Sequence, residues 1–263
     1  MTKKHAKHHV RIGKDPERLN RSFWDEDADD YQAEHESQLD VDTMGWGVWD
    51  LPEADLNVLG DVSELDVLEY GCGAAQWAIK LARTGARVTG LDQSRGQLRH
   101  ATKKVTAAEV SVQLCCASAT AVPLADASFD VVFCDHGAMS FCDPYRTVPE
   151  VARLLRPGGL FAFNLSTLLR NLCYPPTDPD APVTRKLHGK WFGARAFDWG
   201  DGTIDFQIPH GELIALFREH GLVVEDLLDL RAPKRASSTY GDYVDHDWAR
   251  RWPAEEIWRV RKP

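Results

Sequence analysis

Two glycines and a carboxylate are spaced as a nucleotide-binding turn requires. Gly71 and Gly73 follow an apolar run suited to a buried strand, and Asp92 closes the next such run. Because glycine lacks a Cβ, the chain can turn sharply and leave bare N–H groups at the start of the following helix. A carboxylate about 20 residues further on can accept both ribose hydroxyls of an adenosine. The pattern predicts a nucleotide-binding βαβ unit, the alternative being a tight strand-to-helix turn without a ligand.

A second group of candidate residues follows a later strand-like run. Asp135 and His136 follow Phe133 and Cys134, and histidine is the side chain best suited to take up a proton near neutral pH. We expect Asp135 to orient His136, which would act as a general base or orient an acceptor. The alternative is that His136 contacts only a cofactor or packs beneath it. His210, at a predicted helix start, is a second candidate base, with a capping or surface role as its alternative.

The residues around the glycines exclude two other nucleotide sites. A dinucleotide turn would have a third glycine where Gln76 stands, and a phosphate-binding loop would need Gly-Lys followed by Ser or Thr, which is absent here. The segment EYGCGAA at positions 69–75 resembles the acidic-x-Gly-x-Gly-x-Gly signature of class I S-adenosylmethionine-dependent methyltransferases. Ala75 replaces the last glycine of that signature.

Three later segments resemble motifs of the same family, in the family's order. ASATAVPL at 117–124 is similar to the segment that packs around the adenine, with Ser118 where the family usually has Asp. DASFDVVF at 126–133 resembles the fourth strand, and VARLLRPGGLFAF at 151–163 resembles the helix, Pro-Gly-Gly turn and fifth strand that follow. Over residues 65–164 the chain is identified as a member of the class I family, of the small-molecule type.

This resemblance implies S-adenosylmethionine as the cofactor and methyl transfer to a small-molecule acceptor. The carboxypropyl end of the cofactor would lie over residues 71–74, its ribose on Asp92, and its adenine near Gln93, Ser118 and Ala119. Glu69 would orient the glycine loop and the cofactor amine. The implied cofactor-binding residues are Glu69, Gly71, Cys72, Gly73, Gln76, Asp92, Gln93, Ser118, Ala119 and Asp135.

Repeated strands and helices predict the architecture that positions these residues. Right-handed crossovers between them give an α/β, Rossmann-like fold with a doubly wound, mostly parallel sheet. The resemblance adds an antiparallel C-terminal strand at 257–260. We expect a single methyltransferase domain over 21–263, comprising an N-terminal helical cap (21–60), the cofactor-binding core (61–164), a lid or acceptor insertion (165–202) and the C-terminal part of the sheet (203–263). Residues 1–20, rich in Lys, His and Arg, predict a disordered tail, with adventitious metal binding as the alternative.

Aromatic residues suggest where an acceptor would bind. Trp191, Phe192, Phe197 and Trp199 lie in the insertion, which favours a flat or apolar acceptor; the alternatives are that they dock the loop or form a dimer contact. Two further tryptophans, Trp46 and Trp49, suit either a pocket-lining loop or the core of the cap.

Composition narrows the remaining function classes. The chain has 263 residues, 43% of them hydrophobic, and a formal net charge of -9, which disfavours nucleic acid as a partner. No apolar run approaches the length of a membrane span and the N-terminus is polar, so we expect a cytoplasmic protein, monomeric or homodimeric, without membrane contact. The six cysteines form no Cys-x-x-Cys pair, so no metal site is expected. A non-catalytic S-adenosylmethionine-binding regulator and a protein or nucleic-acid methyltransferase remain as alternatives.

Overall fold

The computed structural model describes residues 7–8, 15–39, 42–175 and 181–263. Its strands, in chain order, are β1 (Lys7–His8), β2 (Gly45–Trp46), β3 (Leu51–Pro52), β4 (Asp66–Tyr70), β5 (Arg87–Asp92), β6 (Val112–Cys116), β7 (Phe129–Asp135), β8 (Leu155–Ser166), β9 (Ala196–Asp198), β10 (Ile204–Phe206), β11 (Val223–Leu230) and β12 (Glu255–Arg261). Its helices are α1 (Pro16–Glu26), α2 (Ala28–Leu39), α3 (Glu53–Leu56), α4 (Gln76–Arg83), α5 (Arg95–Ala108), α6 (Ala138–Phe141), α7 (Pro144–Leu154), α8 (Leu168–Leu172), α9 (His210–Glu219) and α10 (His246–Ala249).

The central sheet has the order β11-β12-β8-β7-β4-β5-β6. Strand β4 pairs in parallel with both β5 and β7, whereas β12 is antiparallel to its two neighbours β8 and β11. The predicted fold class, a mostly parallel Rossmann-like sheet with an antiparallel C-terminal strand, is therefore confirmed.

Helices cover both faces of this sheet, which explains why its central strands are apolar throughout. Successive side chains of a strand point to opposite faces. Val67 of β4 packs in the same cluster as Trp77 and Leu81 of α4, whereas Leu68 packs with Val148 of α7 on the other face. Because the two faces are closed in this way, ligands can reach the sheet only at its strand ends.

The N-terminal cap consists of two helices, α1 and α2. Helix α1 begins at Pro16, with Asp15 accepting a hydrogen bond from Arg18 N at 3.3 Å, so the predicted disordered tail is wrong for residues 16–20. An aspartate N-cap followed by proline is a helix-start signal that outweighs the basic composition of the segment. Strand β1 pairs with β9, and the rest of the predicted tail lies outside the described residues.

Residues 203–206 do not join the central sheet. Strand β10 pairs with β9 in a separate small sheet, which corrects the prediction that the chain from 203 onward belongs to the main sheet. Asn20 of α1 explains the position of this strand, because its side chain bonds both the carbonyl and the N–H of Ile204 at 2.8 Å. No helix in the described part of the chain is long and apolar enough to span a bilayer.

Candidate active site

A cavity of about 770 Å³ opens at the carboxyl ends of β4, β5 and β7 and extends under the insertion. At one end it is lined by the glycine turn and Asp92, and at the other by His136, Arg170 and Tyr243. We call these the glycine end and the insertion end. Open α/β sheets bind ligands at this edge.

The glycine turn presents backbone to the cavity. Gly71 has φ +89°, and a Cβ there would lie 2.4 Å from the backbone nitrogen of Ala138, so the turn after β4 packs directly on the turn after β7. A Cβ on Gly73 would have only Gln97 Oε1 nearby, at 3.8 Å. The wall at Gly73 is therefore bare backbone beside open space, as a closely approaching ligand requires.

Asp92 holds the glycine turn in place. Its Oδ2 accepts a hydrogen bond from Gly73 N at 2.8 Å, and its Oδ1 accepts one from Ser94 N at 2.8 Å. Burial raises the pKa of Asp92. A carboxylate oxygen can accept more than one hydrogen bond, so each oxygen can also receive a hydroxyl. Gln93 lines the cavity beside Asp92.

Glu69 and Cys72 also line the glycine end. Glu69 Oε2 accepts from Ala78 N at 2.9 Å near the start of α4, and burial raises the pKa of this carboxyl group well above its usual value. The Cys72 thiol packs under Gly90, where a Cβ would lie 2.9 Å from the sulfur. Both side chains thus help to hold the glycine turn in its conformation.

Three glutamines join the cap to this end of the cavity. Gln76 Nε2 donates to Gln32 Oε1 at 2.7 Å, and Gln32 Nε2 donates to Gln97 Oε1 at 3.1 Å. The chain of amides connects α4, α2 and α5, and all three residues line the cavity. Gln32 escaped the sequence interpretation because no motif marks it.

The segment predicted to surround the adenine lies only partly at the cavity. Ala119 lines the wall, and its carbonyl accepts a hydrogen bond from the Tyr70 hydroxyl. Ser118 does not line the cavity: its Oγ donates to Glu17 Oε2 at 3.0 Å, and Glu17 Oε1 accepts from Thr120 at 2.9 Å. With Ser118 in place of the family's Asp, we expect a contact to the adenine that is weaker or made by the backbone; the bond to Glu17 on α1 leaves the Ser118 hydroxyl directed away from the cavity.

Asp135 and His136 both line the cavity but do not pair with each other. Asp135 Oδ1 accepts from Asn164 Nδ2 at 2.8 Å and from Gly47 N at 3.1 Å. His136 Nε2 instead lies 2.6 Å from Glu255 Oε1. The expectation that Asp135 orients His136 is thus wrong, since the two side chains diverge at the end of β7.

Glu255 is a buried carboxyl group, 1% exposed, on β12. Its Oε1 also accepts from Val48 N at 2.9 Å, while its Oε2 has no hydrogen-bond partner among the described residues. Burial alone would lower the pKa of His136, but the hydrogen bond and charge of Glu255, with the charges of Asp135 and Asp205, outweigh it and raise that pKa. Burial also raises the pKa of Asp135.

His210 lies elsewhere in the molecule. Its Nε2 is 2.9 Å from Glu256 Oε2 and its ring packs edge-on against Trp258, and it is not among the residues that line the cavity. Adjacent residues of a strand point to opposite faces, so Glu255 contacts His136 behind the cavity wall whereas Glu256 contacts His210. His210 is therefore excluded as an acceptor-site base.

The insertion and the following segment build the other wall. Arg170, Tyr174 and Trp199 line the cavity, as does Asp205, whose Oδ2 accepts from Trp199 Nε1 at 3.0 Å. Phe197 is fully buried. Of the predicted aromatic cluster, only Trp199 thus reaches the cavity.

The remaining aromatic residues lie apart from the cavity. Trp191 and Phe192 are exposed, by 37% and 88%. Trp46 is completely buried against Trp77, which favours the core interpretation, and Trp49 packs on His246. No group of His, Cys, Asp and Glu within the described ranges could hold a metal ion.

Sequence comparison places the chain among known enzymes. Residues 68–163 match the methyltransferase domain family. The O-methyltransferase resE of Aspergillus sclerotiorum is 29% identical over 63% of this chain and 57% of its own length. The ubiquinone biosynthesis O-methyltransferase of Alkalilimnicola ehrlichii is 38% identical over 43% of this chain and 45% of its own length. The chain thus spans about half the length of these curated relatives.

A solved structure covers nearly the whole chain. The [4+2]-cyclase SpnF superposes with a TM-score of 0.64 at 18% identity, covering 97% of this chain and 99% of its own. A likeness at this identity concerns the fold alone. The domain match identifies residues 68–163 as a methyltransferase domain, and the strand order and the glycine turn agree with the class I, S-adenosylmethionine-dependent type.

Proposed function

We propose that this protein transfers the methyl group of S-adenosylmethionine to a small-molecule acceptor bound in the same cavity. The observation that carries the proposal is the continuity of the cavity, which joins Gly73 and Asp92 to His136 and Arg170 without a break. Its volume, about 770 Å³, lies within the range of small-molecule sites. One ligand at each end would bring two molecules into contact.

The glycine end fits the cofactor. Bare backbone at Gly73 admits close approach, and the Asp92 oxygens can accept hydroxyl hydrogens beyond the two N–H groups they already bind. Bound there, S-adenosylmethionine supplies an electrophilic methyl group on a positively charged sulfur. The residues proposed to hold it are Glu69, Gly71, Cys72, Gly73, Gln76, Asp92, Gln93, Ala119 and Asp135, with Gln32 added from the structure.

His136 is the proposed base for an acceptor hydroxyl. A carboxylate accepts hydrogen bonds only, so Nε2 carries the hydrogen shared with Glu255 and Nδ1 holds the lone pair of the neutral imidazole. A proton taken up at Nδ1 creates a cation whose charge Glu255 balances at 2.6 Å. Glu255 positions His136 and has no contact with the acceptor in this scheme.

Aromatic side chains form part of the cavity wall. The hydroxyls of Tyr31 and Tyr240 lie 2.8 Å apart, and the His35 ring stacks on Tyr240 at 4.0 Å between centroids. These contacts join α2 to the segment before α10. A concave site of this size suits a small molecule better than a macromolecule.

The charges around the cavity support this choice of acceptor. Besides the site carboxylates already described, the lining includes four further aspartates: Asp27, Asp50, Asp201 and Asp242. A polyanion would be repelled by such a wall. The names of the two curated relatives, both O-methyltransferases, are compatible with an oxygen acceptor.

Calorimetric titration with S-adenosylhomocysteine tests the proposal. We expect saturable binding of one molecule per chain, and methyl transfer from radiolabelled S-adenosylmethionine to a member of a panel of planar hydroxylated aromatics. Binding without transfer to any acceptor would identify a non-catalytic binder. Folded protein that gives no heat at several temperatures would refute the cofactor assignment.

A further inference from the structure

We infer that Arg170 binds an anionic group on the acceptor, so that the acceptor is an aromatic acid. This inference rests on the proposed function, because it assumes that the acceptor occupies the insertion end of the cavity. It adds to that function the chemical class of the acceptor and the residue that selects it.

Arg170 combines deep burial with a position on the cavity wall. It is 5% exposed and belongs to α8, whose N-cap Thr167 accepts from Arg170 N at 3.0 Å. A buried arginine is normally paired with a carboxylate, because leaving its charge uncompensated is costly. Among the described residues, however, no carboxylate oxygen lies within ion-pair distance of Arg170. A bound anion would supply the missing partner.

The hydrogen bonds of Arg170 leave part of its guanidinium available. Nε and one terminal nitrogen donate to the carbonyl of Tyr243 at 3.2 and 2.6 Å, and the other terminal nitrogen donates to Asn171 Oδ1 at 3.0 Å. These bonds use three of the five N–H groups of the side chain. One N–H remains on each terminal nitrogen, and two such hydrogens are what a carboxylate binds.

Three aromatic rings hold the guanidinium in place. Its central carbon lies 4.0 Å from the ring centroid of Tyr243, 4.7 Å from that of Tyr174 and 5.8 Å from that of Trp199. Cation–π contacts stabilise the charge without neutralising it. Because Arg170 is almost completely buried, water screens its charge little, and an anion bound beside it would be attracted strongly.

The same tyrosine connects Arg170 to the proposed base. The His136 ring packs edge-on against Tyr243, with 5.7 Å between centroids. The group to be methylated and the acid group would therefore bind at two sides of one aromatic side chain. An acceptor with a flat ring between its hydroxyl and its acid fits this arrangement.

Asp205 is the alternative counter-charge for Arg170. The two interact electrostatically, but the Asp205 carboxylate is beyond ion-pair distance and its Oδ2 is bound to Trp199. Burial raises the pKa of Asp205 to about 6, with Asp201 and His136 also acting on it. Below that pH Asp205 loses its charge, so an anion at Arg170 should bind more tightly in mild acid.

Two fluorescent dyes of similar shape test the inference without requiring the acceptor. Anilinonaphthalene sulfonate is a flat anion, and N-phenyl-1-naphthylamine is its neutral counterpart. On protein saturated with S-adenosylhomocysteine, we expect the anion to bind about tenfold more tightly or better. Arg170→Gln should remove that preference and leave the affinity for the neutral dye unchanged. Arg170→Lys should restore part of the preference, and the exposed Arg235→Gln should leave it intact.

Equal affinities for the two dyes, or anion binding that is insensitive to Arg170→Gln, would overturn the inference. If thermal melting shows that Arg170→Gln does not fold, Arg170→Lys provides the test instead. Loss of the paired hydrogen bonds should still lower the affinity for the anionic dye several-fold. Absence of S-adenosylhomocysteine binding would count against the proposed function alone, because the dyes are also compared on the free protein. Displacement of the anionic dye by 4-hydroxybenzoate but not by 4-hydroxybenzamide provides a second comparison, in which equal displacement counts against Arg170.

Discussion

Nε2 of His136 lies 2.6 Å from Oε1 of Glu255, a carboxyl group that is 1% exposed. A charge buried so deeply is stabilised mainly by the groups it bonds. Since the second oxygen, Oε2, has no partner among the described residues, His136 supplies much of that stabilisation. The charge of Glu255 in turn raises the pKa of His136, with consequences for the pH dependence of catalysis.

Glu255→Gln should move the pH profile of kcat/KM. In the wild-type protein the rate should rise with pH as His136 loses its proton, with a midpoint displaced upward because Glu255 raises the pKa of His136. Loss of the Glu255 charge should lower the pKa of His136, because burial already acts in that direction, so the rise should occur at lower pH than in the wild-type protein. Glu256→Gln, on the opposite face of β12, is the matched control and should not move the midpoint.

His136→Ala should lower kcat by a factor of about 10² to 10⁴, the usual contribution of a positioned base. Affinity for S-adenosylhomocysteine, measured calorimetrically, should change little, because the cofactor contacts proposed for the glycine end remain. His210→Ala serves as the control, since His210 lies outside the cavity lining and bonds Glu256 instead. Full turnover in His136→Ala would show that the imidazole is not the base.

Asp92→Ala should weaken the binding of S-adenosylhomocysteine by about 1 to 3 kcal/mol, the cost of losing a buried hydrogen-bond acceptor. Part of this loss comes from the ribose hydroxyls and part from Gly73 N, whose 2.8 Å hydrogen bond orders the turn. Asp61→Ala removes an exposed carboxylate that bonds Ser63 N, and this variant should bind S-adenosylhomocysteine as the wild-type protein does. An unchanged dissociation constant for Asp92→Ala would contradict the proposed ribose position.

Asp205→Asn should stabilise the protein, and more at pH 8 than at pH 5. Burial raises the pKa of Asp205 to about 6 in the folded protein, above its unfolded value, so the folded state binds the proton more tightly. Stability is therefore lost as the pH rises from the unfolded to the folded pKa, by up to about 3 kcal/mol. Asparagine can still accept from Trp199 without this penalty. Urea unfolding at the two pH values measures the difference, and a gain independent of pH would argue against a buried ionised group.

Gly71→Ala should destabilise the fold by about 2 to 4 kcal/mol more than Gly60→Ala. Both glycines have positive φ, but a Cβ at Gly71 would meet Ala138 N at 2.4 Å, whereas nothing lies within 4 Å of one at Gly60. The comparison separates backbone strain from collision. Chemical unfolding measures it, and equal losses would mean that the two turns can move apart.

Local patterns predicted the βαβ unit that forms the glycine end. Gly71, Gly73 and Asp92 lie in one βαβ unit, so their separation along the sequence determines how far apart they lie in the structure. Glu255 is 119 residues from His136, and only the pairing of β12 with β8 brings the two together. That relationship depends on the whole sheet and leaves no local signal.

Other residues were missed for different physical reasons. Arg170 lies on a short helix in an insertion without a motif, and its significance comes from burial and from the absence of an ion pair in the described structure. Ser118 stands at a motif position, yet Glu17 on α1 turns its hydroxyl away from the cavity. The motif position alone does not determine where the side chain points.

The contact between the turns after β4 and β7 has a consequence for engineering. A Cβ at Gly137 would lie 2.5 Å from the Gly71 carbonyl oxygen, so the two backbones touch with no side chain between them. The wall around Arg170 and Trp199 is built from other segments, downstream of β8. Exchange of the segment between residues 167 and 206 should consequently change the acceptor specificity and leave the binding of the proposed methyl donor unchanged.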